Sequence, residues 1–416
     1  MILKTTMRQL KSILQITISS LVILISSSSL LQSQNVRLGI DVLMSDEISI
    51  VQNKQIALFT NQSGINVKGV PTAEILSKDS RVDLRKIFVP EHGYYTTIPA
   101  GEPVANDSIF GTPIVSLYGS LKIPNKKVLT DIDAVVVDIQ DIGVRSYTYI
   151  SSLLYLIQGC AENNVEVIVL DRPNPLGGLV VDGNLPENKF KSFVSLVPTT
   201  YIHGCTIGEL AMMINGELWT ENKKQCNVTV VTMEGWERWM AWDDTGLMWI
   251  PTSPHVPTAN SVRGIATLGT IGELGVISIG IGTTSPFGYI GSPFLKLDNM
   301  RVDYEGIYLQ HTYYRPFYGM YSGKDVEGYY LKFNLSNHLK PYTTGLLILR
   351  ELVKNNPTLL SDNNLKSQSK DMFNKVTGTD KILNAIRTNL PEEMIVTLAS
   401  EGMIDFLKIR QKYLLY

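Results

Sequence analysis

Two apolar runs without alternation constrain this chain most. Ala134-Val135-Val136-Val137 and Val167-Ile168-Val169-Leu170 offer no polar residue to either face of a strand. A strand buried on both faces belongs inside a parallel sheet covered by helices on both sides. Between the two runs, Tyr147, Ile150, Leu154, Ile157 and Ala161 form one helical stripe, at spacings of three and four. Strand, helix and strand in that order read as a doubly wound α/β domain. The first run ends in Asp138-Ile139-Gln140-Asp141, with Gly143 and Arg145 close behind. The second ends in Asp171-Arg172-Pro173-Asn174-Pro175, then Gly177-Gly178. Loops at the carboxyl ends of the strands form the ligand crevice of such a sheet.

Two further strands end in the same way. Gln55–Thr60 runs into the turn-forming cluster Asn61-Gln62-Ser63-Gly64. Leu84–Val89 is ended by Pro90, which has no N–H to donate to the ladder. Glu91 and His92 follow, and Gly93 permits the sharp departure. Residues 36–54 read as a lead-in, a short helix is expected over Thr72–Lys78, and residues 94–109 form a long loop. Pro113–Tyr118 is a short strand, and Asn227–Met233 alternates like one. Thr206-Ile207-Gly208-Glu209 has the capping-box form and starts a helix through Leu218. Pro251, Pro254 and Pro257 then cluster, which places a domain boundary near residue 258. The α/β domain spans 36–258. A smaller α+β domain spans 259–416, with a tyrosine-rich β segment over 304–333, a helix over Thr343–Asn355 and a last helix starting after Pro391.

The N-terminus differs from both. Lys4, Arg8 and Lys11 precede a mainly apolar run over 13–25, and small and polar residues follow to Gln34. That is the layout of a secretory signal peptide, 1–34, too short for a comfortable membrane span. Export to the periplasm or beyond is expected, with no membrane insertion after cleavage and no lipobox cysteine. Loss of three basic and no acidic residues takes the formal charge from −2 to −5, which gives no footprint for nucleic acid. Cys160, Cys205 and Cys226 fit no zinc or redox spacing, and one disulfide is compatible with an oxidising compartment.

The strand ends thus supply Asn61, Glu91, His92, Asp138, Gln140, Asp141, Arg145, Asp171, Arg172 and Asn174, with His203 near the capped helix. Each has a purely structural alternative. Asp171 and Arg172 can pair across the sheet top, Asp138 can cap a helix, Asn61 suits any turn, and His203 can serve a backbone carbonyl. Glu91 has the least structural reason for its position. G-x-S-x-G, a Walker A motif and a dinucleotide glycine motif are absent from the chain. The five histidines do not recur at metal-ligand spacing, so no metal or cofactor is expected. Carboxyl-based acid–base work remains, as in cleavage of a glycosidic bond.

Six motifs occur in register: Val89-Pro90-Glu91-His92-Gly93; Ser116-Leu117-Tyr118-Gly119; Asp138 to Arg145 with Tyr147-Thr148-Tyr149; Leu170 to Gly178; His203-Gly204 with Thr206 to Ala211; and Gly282-Thr283-Thr284 with Pro286-Phe287. Together they resemble the exo-acting β-N-acetylmuramidases of the NamZ type, the DUF1343 family, over nearly all of the chain after the signal. The resemblance implies a Rossmann-like catalytic domain with an auxiliary C-terminal domain. It implies release of N-acetylmuramic acid from the non-reducing ends of peptidoglycan fragments. It makes Glu91 the general acid. Position at the strand ends makes His92, Asp138 and Asp171 candidate catalytic companions, and Asn61, Gln140, Asp141, Arg145, Arg172 and Asn174, with His203 near the capped helix, candidate substrate-binding residues. Arg145 and Arg172 are the cations expected to meet the lactyl carboxylate of that sugar. The chain departs from the family pattern at Tyr94-Tyr95-Thr96, Ile281 and His255, and the first two lack an arginine common there. A non-catalytic or divergent carbohydrate-binding wall protein on the same scaffold is the alternative.

Overall fold

The computed structural model describes residues 36–105, 107–334 and 339–416. The expected export signal, 1–34, lies outside the described residues. A seven-stranded sheet has the order β3-β4-β2-β1-β5-β6-β7. Its strands are β1 Gln55–Thr60, β2 Asp83–Val89, β3 Ser108–Ile109, β4 Thr112–Ser116, β5 Ala134–Asp138, β6 Glu166–Leu170 and β7 Val228–Val231. All pairings are parallel except β3 with β4. β5 is buried along its whole length, as its unbroken apolar run requires.

Alternate residues of the inner strands serve the two faces. Val135, Val137, Val167 and Val169 pack with Leu153 and Ile157 of helix Thr148–Asn163, and with Leu210 and Ile214 of helix Ile207–Gly216. Ile56, Leu58, Val136, Ile168 and Leu170 face the other way, onto Ile40, Leu43 and Leu76. The stretch read as a lead-in is therefore part of the core. It forms a helical turn at Gly39–Val42, a π-helical segment at Leu43–Glu47 and a 3-10 turn at Ile48–Ile50. Its polar–apolar mixture hid this, because a single buried face suffices.

A second sheet is antiparallel, in the order β8-β11-β10-β9. It comprises β8 Tyr289–Gly291, β9 Asp303–Tyr304, β10 Ile307–Tyr314 and β11 Val326–Phe333. Helices Ala259–Gly272, Pro341–Asn355 and Ser367–Thr377 pack on it through Leu268, Leu346, Leu349 and Phe373. Helices Ala259–Gly272 and Pro341–Asn355 approach so closely that a Cβ on Gly345 would lie 1.8 Å from the Thr267 carbonyl oxygen. The last helix expected after Pro391 is two, Glu392–Ala399 and Met403–Arg410, broken at Gly402 with φ 78°. Among the described residues no helix is long and apolar enough to cross a membrane.

Candidate active site

β1 is flanked by β2 on one side and β5 on the other, so the strand order reverses there. A crevice is expected above such a switch point. The side chains above it fill it instead. Asp138 takes the Arg172 guanidinium on both carboxylate oxygens and the Thr72 hydroxyl on one of them. The Asn61 amide donates to the Tyr149 hydroxyl at 2.8 Å. Gln140 donates to the carbonyls of Asp141 at 2.7 Å and Pro173 at 2.8 Å. The space left beside Ser63, Gln140 and Arg172 is about 10 Å³, room for about one water.

The other strand-end candidates are also engaged in holding the backbone. Asp171 accepts from Thr206 Oγ1 at 2.7 Å, the Gly208 N–H at 2.8 Å and the Tyr416 hydroxyl at 2.7 Å, and burial pushes its carboxyl up to about 6. Asn174 donates to the Cys205 carbonyl at 3.0 Å and accepts from the Leu176 N–H at 2.9 Å. Asp141 caps the Gly143 N–H at 2.7 Å and lies 3.2 Å from His203 Nε2. His203 Nδ1 accepts from the Cys205 N–H at 3.1 Å. Arg145 is fully buried, and its guanidinium donates only to backbone carbonyls. Neither Arg145 nor Arg172 faces a sugar-sized cavity: four carbonyls take up the first, and Asp138 and the Ile65 carbonyl take up the second.

A large cavity lies beside the switch point, between the loop after β2 and the second sheet's helices. Its volume is about 730 Å³, within the usual range for ligand sites. Glu91 and His92 line it; the other nine candidates do not. Val256, Ile265, Ile279, Ile281 and Phe287 add apolar wall.

Glu91 is only 6% exposed, and three groups orient its carboxyl. Oε1 accepts from the Gly101 N–H at 2.9 Å and the Tyr118 hydroxyl at 2.7 Å. Oε2 accepts from the Thr148 hydroxyl at 2.6 Å. Thr148 opens helix Thr148–Asn163, whose N-terminal dipole favours negative charge. His92 has φ 72°, a left-handed conformation that costs a non-glycine residue roughly 1–2 kcal/mol. Its Nδ1 lies 2.7 Å from the Ile98 carbonyl oxygen. A carbonyl only accepts, so Nδ1 carries the hydrogen and Nε2 remains for other partners. Burial and the nearby His92 hold His255 below its ordinary value, and its ring stacks on Tyr318 at 5.9 Å.

Sequence reasoning missed several of these groups. Tyr118 and Thr148 stood inside quoted motifs without a role. Lys122 lines the cavity with its amine 4.4 Å from the centre of the Phe193 ring, and nothing in its surroundings along the chain marked it. Glu273 lines the cavity from the second domain. Among the described residues no group of three His, Cys, Asp or Glu side chains is placed to hold a metal ion, and the three cysteines are unpaired.

Comparisons with known proteins agree with one another. A family described as "Exo-beta-N-acetylmuramidase NamZ, N-terminal" matches residues 56–260, and its C-terminal counterpart matches residues 266–416. The chain is 33% identical over 398 residues to the peptidoglycan beta-N-acetylmuramidase NamZ of Bacillus subtilis (strain 168), covering 94% of each. It resembles the crystal structure of a DUF1343 family protein from Bacteroides fragilis NCTC 9343 with a TM-score of 0.85 at 35% identity, covering 92% of this chain and 99% of that one. A second DUF1343 structure from that organism gives 0.72 at 29% identity, with the same coverage.

Proposed function

This chain belongs to the exo-β-N-acetylmuramidase NamZ family, and on that premise we propose that it is an exported glycoside hydrolase that releases N-acetylmuramic acid from non-reducing ends of peptidoglycan fragments. The observation that carries the reading is Glu91, held on the wall of a sugar-sized cavity by groups that suit both of its protonation states. The Gly101 N–H can only donate, so Oε1 stays an acceptor. The Thr148 hydroxyl can donate or accept. The proton therefore belongs on Oε2, with Thr148 as its partner. When that proton passes to the departing sugar oxygen, the carboxylate left behind gains the Thr148 hydroxyl as a donor and keeps Gly101 and Tyr118.

The lactyl carboxylate of the substrate needs a cation. Lys122 supplies one on the cavity wall and has no acidic partner among the described residues. The tilted Tyr118 and Phe193 rings, 6.0 Å apart, offer a surface for a sugar face beside it.

Glu91→Gln keeps the shape and removes the proton. General acid assistance is worth about 10²–10⁴-fold, so natural muropeptides should lose turnover by about that factor. A nitrophenyl muramide, whose leaving group needs less protonation, should lose much less. Equal modest losses on both would make Glu91 a binding residue, and undiminished activity would remove it from the mechanism. Export is tested separately: protein should be recovered outside the inner membrane without residues 1–34, and full-length protein in the membrane fraction would refute it.

A further inference from the structure

Glu273 sits where a carboxylate gains nothing structurally. It is the residue that ends helix Ala259–Gly272. A negative charge at a helix C-terminus opposes the macrodipole. Glu273 is half-buried on a wall shared with Ile265, Ile277 and Ile279; its backbone N–H donates to the Thr270 carbonyl at 3.3 Å, but its carboxylate has no hydrogen bond or ion pair among the described residues. The position is costly on three counts: dipole, desolvation and lack of a partner. Perturbed, uncompensated titratable groups in a cleft mark functional sites.

We infer that Glu273 is the second catalytic carboxyl group of this cavity, the base that takes a proton from the attacking water. This rests on the glycosidase reading above. In the step, one water O–H bond breaks and its proton passes to Glu273. The water oxygen bonds to the anomeric carbon as the glycosidic C–O bond breaks, and the Glu91 proton goes to the departing oxygen. Both carboxyl groups then regain their starting states by exchange with solvent. A single displacement of a β-linked sugar releases the α anomer.

Burial pushes the Glu273 carboxyl above its ordinary value, which suits a base working near neutral pH. Glu91 and Glu273 line the same cavity, and a base needs a separation of about 6.5–9.5 Å that leaves room for the water, against about 5 Å for a nucleophile. The other titratable groups around the cavity are Glu91, His92, Tyr118, Lys122, Tyr147 and His255. Tyr201 stands behind, pushed up to about 12 by burial, with Glu273 adding to the shift.

The test has two parts. Proton NMR of wild-type protein hydrolysing a nitrophenyl β-muramide should show the α anomer first; β first overturns the assignment. Glu273→Gln should lower kcat about 10²–10⁴-fold on the nitrophenyl and the natural substrate alike, because water must be activated whatever the leaving group. It should also remove the acid limb of the kcat/KM pH profile and leave Tm unchanged or higher. A purely structural Glu273 would instead lower Tm and spare kcat, which overturns the inference. If wild-type protein turns over no muramide, the glycosidase reading itself fails; if wild type is active and Glu273→Gln equally so, only the base assignment falls.

Discussion

Arg145→Met separates a structural from a substrate-binding arginine. Nη1 donates to the carbonyls of Asn184 at 2.6 Å and Thr199 at 2.8 Å. Nη2 donates to those of Val376 at 3.2 Å and Thr377 at 2.9 Å. The guanidinium thus ties the loop after β5 to the end of helix Ser367–Thr377. Hydrogen bonds to charged groups contribute about 1.5–3 kcal/mol each, so the four are worth about 6–12 kcal/mol before opposing terms. Burial pushes the guanidinium down from 12.5 to about 10. That shift corresponds to a penalty on the order of 3 kcal/mol for holding the charge there. Methionine fills a similar length but returns no donor. The Thr377 carbonyl keeps the Asn184 amide at 2.9 Å; the other three lose the guanidinium. The net loss should be about 3–5 kcal/mol, the range seen when one partner of a buried charged contact is removed. Urea titration followed by tryptophan fluorescence should show a lower midpoint with an unchanged slope. Below the transition, the preference for muramide over glucosaminide should stay as in wild type. A variant with wild-type stability and a shifted preference would refute this reasoning and return Arg145 to the substrate.

The remaining predictions concern charge. Asp171 titrates near 6 when folded, above its unfolded value, so the folded state binds the proton more tightly. Its contribution to stability is complete below about pH 4 and falls by about 3 kcal/mol as pH rises to about 6. Asp171→Asn should flatten that fall in urea midpoints measured at pH 5 and pH 7; a slope matching wild type refutes it. Lys122→Met should raise KM for a nitrophenyl muramide about 10-fold, on the scale of a lost charge-assisted contact, and leave the glucosaminide unchanged. An equal change on both substrates would mean that Lys122 does not read the lactyl carboxylate.

Much was legible along the chain because it depends on near neighbours. Unbroken apolar runs set β5 and β6 inside the sheet, since a polar side chain on either face would be stranded there. Thr206 and Glu209 form the capping box that their spacing announced, with bonds of 3.2 and 3.0 Å. Pro90 ends β2 for want of an N–H, and Glu91 follows it into the cavity wall. What the polar strand ends do was decided only in three dimensions. Each buried donor or acceptor must find a partner, and those partners come from far along the chain: Tyr149 for Asn61, Tyr416 for Asp171, Thr377 for Arg145. Those pairings fill the crevice at the switch point and move the open space to Glu91. The groups that complete that space, Tyr118, Thr148, Lys122 and Glu273, meet there because two sheets and their helices pack together. A sequence records which side chains are available; whether a carboxylate is consumed by its neighbours or left facing a cavity depends on which donors the folded chain brings within reach.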